Sequence, residues 1–400
     1  MARADVRAVW HKRCLVKGKF DCTERKAMQN QNRTMALRSL ASLALTLGVC
    51  LSSHALVWQT KIDVTGISSE NYDLAISPLR AHVAYEHAGH VYYATRTPWD
   101  AAWTTVDLGS GATPSVALGP DGTAYVAFQN GGTIHVASSA DAWAATPVVA
   151  GSYGSLDVDG SGVLHLMLEG NYDGDGYTEI ALVQNAGSGW SDLAVLHDGW
   201  YDSGYGNYFS QMSLAALPGS GYVYSLEISN WGGRASWSSR YPSAIVPGGN
   251  NTWMEVGWNA GSELSRQAIS AGDDRLGFAF ATSGTVYAST CTGGIWSGFE
   301  SLGAGGQATV DAKNGVAVAF QNGGVLRFAK DGAVETVLFE GAEVRGIRPF
   351  LVSQGEEYFL LYRDEQGTLS LLTTAVVPEP STVACLVAGA LLAVTRRRKH

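Results

Sequence analysis

The stretch Asn171-x-Asp173-x-Asp175-Gly176-Tyr177-x-Glu179 carries more potential chemistry than any other in the chain. Oxygen-bearing side chains at alternate positions, with a glycine at the bend, let a short loop curl around a hard cation that takes six to eight oxygens. The side chains of Asn171, Asp173, Asp175 and Glu179 and the Tyr177 carbonyl are the expected ligands, calcium (Ca2+) the expected ion, and pinning the loop its expected role. Leu182 stands where an EF-hand requires its bidentate twelfth residue, so the pattern is a short loop and not an EF-hand. An Asp/Gly-rich hairpin without metal is the alternative reading of the same residues.

Aromatic residues crowd around this loop. Tyr172, Trp200, Tyr201, Tyr205, Tyr208 and Trp231, with Arg234, fall in the glycine-rich segments 169–179, 197–209 and 229–234. Aromatic faces stack on the C–H faces of sugars while polar side chains bond the hydroxyls, and exposed aromatic patches mark contact surfaces. These seven residues are the expected ligand-binding set; rings folded back to cap strand ends are the alternative. No catalytic residue is assigned. The chain has 36 acids, so carboxylate pairs are too easily found to mean anything, and it has no GxSxG, HExxH or phosphate-loop motif. His165 and His197 lack partners at metal spacing and read as structural.

The elements that position these residues are repeated. "PSVALGPDGTAYVAFQNGGTIHVASSADAW" (114–143) alternates small and large apolar residues in three short strands, separated by Gly119-Pro120-Asp121-Gly122 and Asn130-Gly131-Gly132 turns, with a Trp ahead of a fourth strand. Aligning the ends of the second strands gives anchors at Tyr85, Phe128, Leu168, Glu227, Phe280, Phe320 and Tyr362, spaced 43, 40, 59, 53, 40 and 42 residues apart. Four-stranded units at such a period predict an all-β fold, a seven-bladed β-propeller over residues 56–376. The seventh unit lacks a fourth strand. The segment 56–66 supplies one, so Val57–Val64 is expected to pair with Leu369–Thr374 and close the ring, removing an open sheet edge. The two long spacings place the extra residues in blades 3 and 4. Loops between second and third strands share a face with the blade-to-blade loops, so the segments 169–179, 197–209, 229–234 and 257–265 fall on one sector of one face.

The blades resemble sialidase-like, BNR-repeat propellers. Their Asp-box, Ser-x-Asp-x-Gly-x-x-Trp, keeps its frame at Ser289-x-Cys291-x-Gly293-x-x-Trp296 but with Cys in place of Asp; other blades keep mainly Trp103, Trp143 and Trp190. The likeness implies architecture and carries over no sialidase active site. The 171–179 loop resembles the calcium loops between strands of integrin-type propellers.

The ends of the chain speak of location. Residues 1–34 read as an over-extended start and 35–55 as a signal peptide, with Arg38, an apolar stretch and a Ser53-His54-Ala55 cleavage site. Residues 377–400 carry Pro378-Glu379-Pro380, a 14-residue apolar run (Thr382 to Thr395) and Arg396, Arg397, Arg398 and Lys399. That run is shorter than the ~20 residues of a comfortable membrane helix, and its basic end stays inside. This tail resembles the PEP-CTERM sorting signal. The resemblance implies Sec export, recognition by an exosortase, transient inner-membrane anchoring and delivery to the surface or extracellular matrix of a Gram-negative cell. The body between the two signals has 13 basic and 32 acidic residues, a net charge of −19, which excludes nucleic acid as a partner. Cys291 is its lone cysteine, so no internal disulfide staples it. The expected function is that of a surface or matrix interaction protein contacting exopolysaccharide. A carbohydrate-active enzyme (glycosidase or lyase) on the same face and a purely structural matrix protein remain the alternatives.

Overall fold

The computed structural model describes residues 57–374 except 59, 69–70, 79, 98–99, 101, 175–177, 198–200, 203–204, 220, 232–236, 241–263 and 294; at 60, 62, 65–68, 153 and 197 and along 201–211, 224–231, 237–240 and 264–267 it describes the backbone alone. The leader, the signal peptide and the sorting signal (Pro378, Glu379, Pro380, Arg396, Arg397, Arg398) lie outside the described residues. Among the described residues no helix is long and apolar enough to cross a membrane.

The fold is all-β, a succession of antiparallel meanders of the propeller type. Six sheets follow one another along the chain, starting with the first strands Tyr72–Ser77, Ala112–Leu118, Ser152–Val158, Tyr205–Ala216, Leu264–Ala271 and Gly306–Asp311. A seventh combines Gly346–Gln354, Glu357–Asp364 and Thr368–Thr373 with Thr60–Ser68 from the opposite terminus. Its register, Thr60 opposite Thr373 and Asp63 opposite Ser370, realises the expected pairing with a small shift. The strand begins at Thr60 and not Val57, because Trp58 is drawn aside. Its ring is 3 % exposed, packs edge-on against Phe328 at 6.0 Å, and its backbone bridges Phe339. Farther along the same strand, the Asp63 carbonyl accepts a hydrogen bond from Trp103 Nε1 of the first sheet at 3.1 Å.

Side chains of successive sheets interdigitate. Val91, Leu108, Val126 and Phe128 fill the space between the first and second sheets; Ile134, Leu156, Leu166 and Leu168 that between the second and third. Val83, Tyr85, Leu361 and Leu371 do the same between the first sheet and the seventh. The alternation that marked the strands is thus a two-faced burial: small residues on one face admit large ones from the neighbour. The anchors Tyr85, Phe128, Leu168, Phe280, Phe320 and Tyr362 are at most 2 % exposed.

The first strands lie side by side but too far apart for a ladder, and short polar side chains bridge them. Asp73 accepts from Val116 N at 2.8 Å and from Ser115 Oγ at 2.9 Å. Ser115 Oγ accepts from Leu156 N at 3.1 Å, Asp157 from Ala216 N at 2.8 Å, Ser213 Oγ from Ile269 N at 3.1 Å, and Ser270 Oγ from Ala312 N at 3.1 Å. Gln307 Oε1 accepts from Arg348 N at 2.8 Å, and the Tyr72 hydroxyl donates to the Ile347 carbonyl at 3.2 Å and to that of Arg348. These six amides, which a ladder would have used, are satisfied by the sheet beside them. Burial pushes the Asp73 carboxyl up to about 6 against the pull of these bonds, and it raises Asp157 and Asp311 as well.

Where one sheet hands the chain to the next, backbone and anchor touch. A Cβ on Gly111 would lie 2.6 Å from the Phe128 ring, and one on Gly305 2.6 Å from Phe320, so only glycine fits. Two residues on, Thr113, Gln307 and Arg348 hold positive φ (49°, 52° and 53°) at a register slip in the first strand. Left-handed backbone at such residues is strained and held by its surroundings.

Candidate functional site

First strands begin and second strands end at the same edge of each sheet, here called the upper edge; the Tyr72–Tyr85 and Ser152–Glu169 pairs mark it. The residue after five of the seven anchors is polar and sits on this edge: Glu86, Gln129, Glu169, Gln321 and Arg363. Glu86 accepts from Asn71 Nδ2 at 2.8 Å and from Thr113 N at 3.3 Å; Gln321 Oε1 accepts from Gly324 N at 3.0 Å. Glu169 differs. Burial pushes its carboxyl up to about 7, and no hydrogen bond or cation among the described residues offsets the rise.

Tyr172 follows in the loop. Its ring is folded back, half-buried, against the cluster that holds Leu166 and Leu168. Its hydroxyl is buried with no hydrogen-bond partner among the described residues, over Gly170 and Gly151; a Cβ on Gly151 would lie 2.9 Å from it. Burial and the charges of Glu179 and Glu169 push the phenol well above its usual value, which keeps it a neutral donor. Tyr172 was expected as a protruding stacking ring. It instead roofs the end of the second strand, because Gly170 leaves the space that its ring fills.

The rest of the 171–179 set is partly accounted for. Glu179 is 1 % exposed, and its carboxylate accepts from the Tyr172 and Asp173 amides, the latter at 3.4 Å. Asn171 Oδ1 accepts from Gly174 N at 2.8 Å. These oxygens hold the loop's own backbone, as carboxylates and amides do in tight turns. Among the described residues no group of three or more His, Cys, Asp or Glu converges as a metal site. Asp175 and Tyr177 lie outside the described residues, so the expected calcium shell is not assembled by those that are described.

The fourth sheet corrects the reading of 197–209 and 229–234 as loops. Tyr205–Ala216 and Tyr222–Trp231 form one long hairpin, 12 and 10 residues, against 6 to 8 for most inner strands. The alternation of "YGNYFSQMSLAA", rich in aromatic strand formers, extends the sheet instead of looping out. Register pairs Tyr201 with Gly206, Gly206 with Trp231, and Tyr208 with Ser229. Directly paired residues share a sheet face, and so do residues two apart along a strand. Tyr201, Tyr208 and Trp231 therefore belong to one face of the extended hairpin, and Tyr205 to the other. Trp200 and Arg234 lie outside the described residues. The hairpin shares the upper edge with Glu169, since the first strands of sheets three and four run in the same direction and touch.

The remaining sequence candidates are structural. His165 is 1 % exposed; its Nε2 lies 2.9 Å from Asp159 Oδ2 and its Nδ1 2.9 Å from the Gln184 amide. Cys291 is buried and pairs across a tight hairpin with Trp296, while Ser289 Oγ donates to the Ser297 carbonyl at 2.9 Å. The Asp-box frame thus survives as a turn with an apolar centre. Sequence reasoning missed Glu169; a lone carboxyl after an apolar strand end carries no motif, and only comparison with Glu86 and Gln321 singles it out.

No family model matches the sequence, and no curated protein matches it. The solved structures similar in fold include two with TM-scores above 0.5. One is described as a crystal structure of polysaccharide lyase Uly1 (TM-score 0.52, 9 % identity, 81 % of this chain and 93 % of that one). The other is described as a new family of polysaccharide lyase, the PL25 ulvan lyase (TM-score 0.52, 9 % identity, 79 % and 94 %). At that identity the likeness is one of fold.

Proposed function

We propose that the chain is an exported seven-bladed β-propeller that binds polysaccharide on its upper face over sheets three and four. The cyclic contacts support the ring: the first strand of each sheet lies against the next, and Gly346–Gln354 lies against Tyr72–Ser77. The signal-like segment 35–55 and the sorting-signal-like tail 377–400 support export and exosortase handling, with the cell surface or matrix as destination. The observation that carries the binding reading is the row of Tyr201, Tyr208 and Trp231 at the edge shared with Glu169. An aromatic row presents flat apolar area to sugar rings at low entropic cost, and a carboxyl beside it accepts hydroxyls.

The test is affinity electrophoresis or calorimetry with a panel of neutral and acidic exopolysaccharides. Trp231→Ala is expected to weaken binding about tenfold or more, as central aromatic contacts do. Unchanged binding in this variant sinks the aromatic row, and no binding to any polymer leaves the protein a structural matrix component.

Glu169 gives the reading a pH signature. Its raised carboxyl favours the folded state when protonated, so this contribution is fully present at low pH and is lost as pH rises through about 7. Between pH 5.5 and 7.5 wild type should lose about 1 kcal/mol, after discounting for partial exposure, that Glu169→Gln does not lose. Parallel denaturation curves for the two proteins at both pH values check it; equal losses refute it.

The same carboxyl favours a second reading, cleavage of the bound polymer. A group near 7 gives and takes a proton at neutral pH, which general acid–base chemistry requires. New reducing or unsaturated ends in wild type, absent in Glu169→Gln, would establish it.

A further inference from the structure

A cleft of about 240 Å³ opens between the fifth and sixth sheets at their lower edge, where second strands begin and third strands end. Its floor is apolar, with Ala288, Leu302 and Val318, and its rim carries Glu300, Lys330 and Asp331. Arg275 also lines it but is engaged in two bonds to Asp274, 2.6 Å from Nε and 2.9 Å from Nη2. Ser289 is spent on Ser297. Glu300 reaches from the fifth sheet over the Asp331–Gly332 turn of the sixth: a Cβ on Gly332 would lie 2.7 Å from its Oε1. Asp331 and Gly332 both have positive φ, 50° and 78°, which turns the chain sharply enough to leave that space. The Lys330 ammonium lies 5.2 Å from the centre of the Tyr358 ring, at the far side of the cleft.

We infer that this cleft is a subsite for one neutral sugar residue, on the edge opposite to Glu169. Charge and shape select the class. Two carboxylates at the rim reject a uronate or sulfate, and the Lys330 cation beside them disfavours a metal ion or a polyamine. Carboxylates are acceptors only, and a pair of them suits adjacent hydroxyls, each bond being of the stronger charge-assisted kind. The apolar floor takes the C–H face of the ring, in the manner of small-molecule sites with a few polar groups above apolar walls. The inference rests on the polysaccharide reading only in supposing that the sugar belongs to a polymer. A polymer engaging both edges would gain avidity from the second contact.

The test uses Trp231→Ala protein, in which the upper face is silenced, titrated by NMR with methyl glycosides of neutral hexoses and, separately, of a hexuronic acid. Saturable shifts confined to 288–302 and 329–332, with the uronate at least tenfold weaker, are expected. Glu300→Gln and Asp331→Asn, both at solvent-facing positions, should each weaken the hexoside at least fivefold without changing the thermal midpoint. No hexoside shift, shifts indifferent to both substitutions, or equal binding of the uronate overturns the inference. Loss of polymer binding in Trp231→Ala with no hexoside shift would leave the upper-face reading standing and remove this one. Hexoside shifts with polymer binding unaffected by Trp231→Ala would do the reverse.

Discussion

Trp58→Ala is expected to cost about 3–5 kcal/mol of stability, the range for truncating a buried tryptophan. Trp58 is the first aromatic side chain of the described body; it falls inside the segment Val57–Val64 that was expected to pair, two residues ahead of the strand that forms, Thr60–Ser68. It is buried against Phe328 and bridged to Phe339, on the sixth sheet's side, before the chain pairs with the seventh and receives Trp103 of the first. One short segment thus touches three sheets. For a body of this size the loss should lower the thermal midpoint by roughly 6–15 °C, with Trp58→Phe recovering part of it through the edge contact. The measurement is thermal or urea unfolding of the mature body. A loss below about 1 kcal/mol would mean that the bridge to the sixth sheet is incidental and the strand pairing alone holds the terminus.

Asp159→Ala should be of similar size, about 3–5 kcal/mol, for an electrostatic reason. The Asp159 side chain is 2 % exposed and accepts from Ser161 N and Oγ at 2.9 and 2.6 Å, Val163 N at 3.0 Å, His165 Nε2 at 2.9 Å, and Gly221 N of the next sheet at 2.8 Å. Burial alone would raise its carboxyl, but the bonds from Ser161, Gly221, His165 and Val163 prevail and hold it far below the usual range. Removing it leaves several buried donors unanswered, each worth about 1–3 kcal/mol before relaxation. The pH dependence runs opposite to that of Glu169. A depressed carboxyl contributes stability that is present above its unfolded value near 3.8 and is lost as pH falls below it. Because the folded value lies far below 3.8, only part of this contribution is gone at pH 3, so urea unfolding should show a smaller gap between wild type and Asp159→Asn at pH 3 than at pH 7; a gap that does not shrink would refute the assignment.

Much of the architecture was legible because it is written in apolar residues. Six of the seven anchors are large apolar residues and buried, and four of the six spacings are 40–43 residues, so the repeated antiparallel units could be read from them; the spare strand could be read because the last unit was one short. Polar residues on first strands were not legible. Asp73, Ser115, Asp157 and Ser270 look like solvent-facing positions, yet they answer amides of the adjoining sheet, a contact with no sequence period. The form of the fourth sheet was not legible. Glycine and tyrosine in 197–209 suggested loops, whereas alternation over Tyr205–Ala216 prevailed and built a longer hairpin. In the 171–179 loop the carboxylates could serve a cation or their own backbone, and spacing does not distinguish the two uses; Glu179 serves the backbone.

The pairing of Thr60 with Thr373 has a temporal meaning. A polypeptide threaded amino end first delivers Thr60–Ser68 before any other described strand, and its partner after the rest of them. During that interval both the early strand and the late edge are unpaired templates for wrong association. Loop closure over three hundred residues is also among the slowest contacts a chain of this length can make. The last event of maturation is therefore the docking of its oldest segment, and any factor that shields residues 57–68 until then would govern yield more than it governs the stability of the finished molecule.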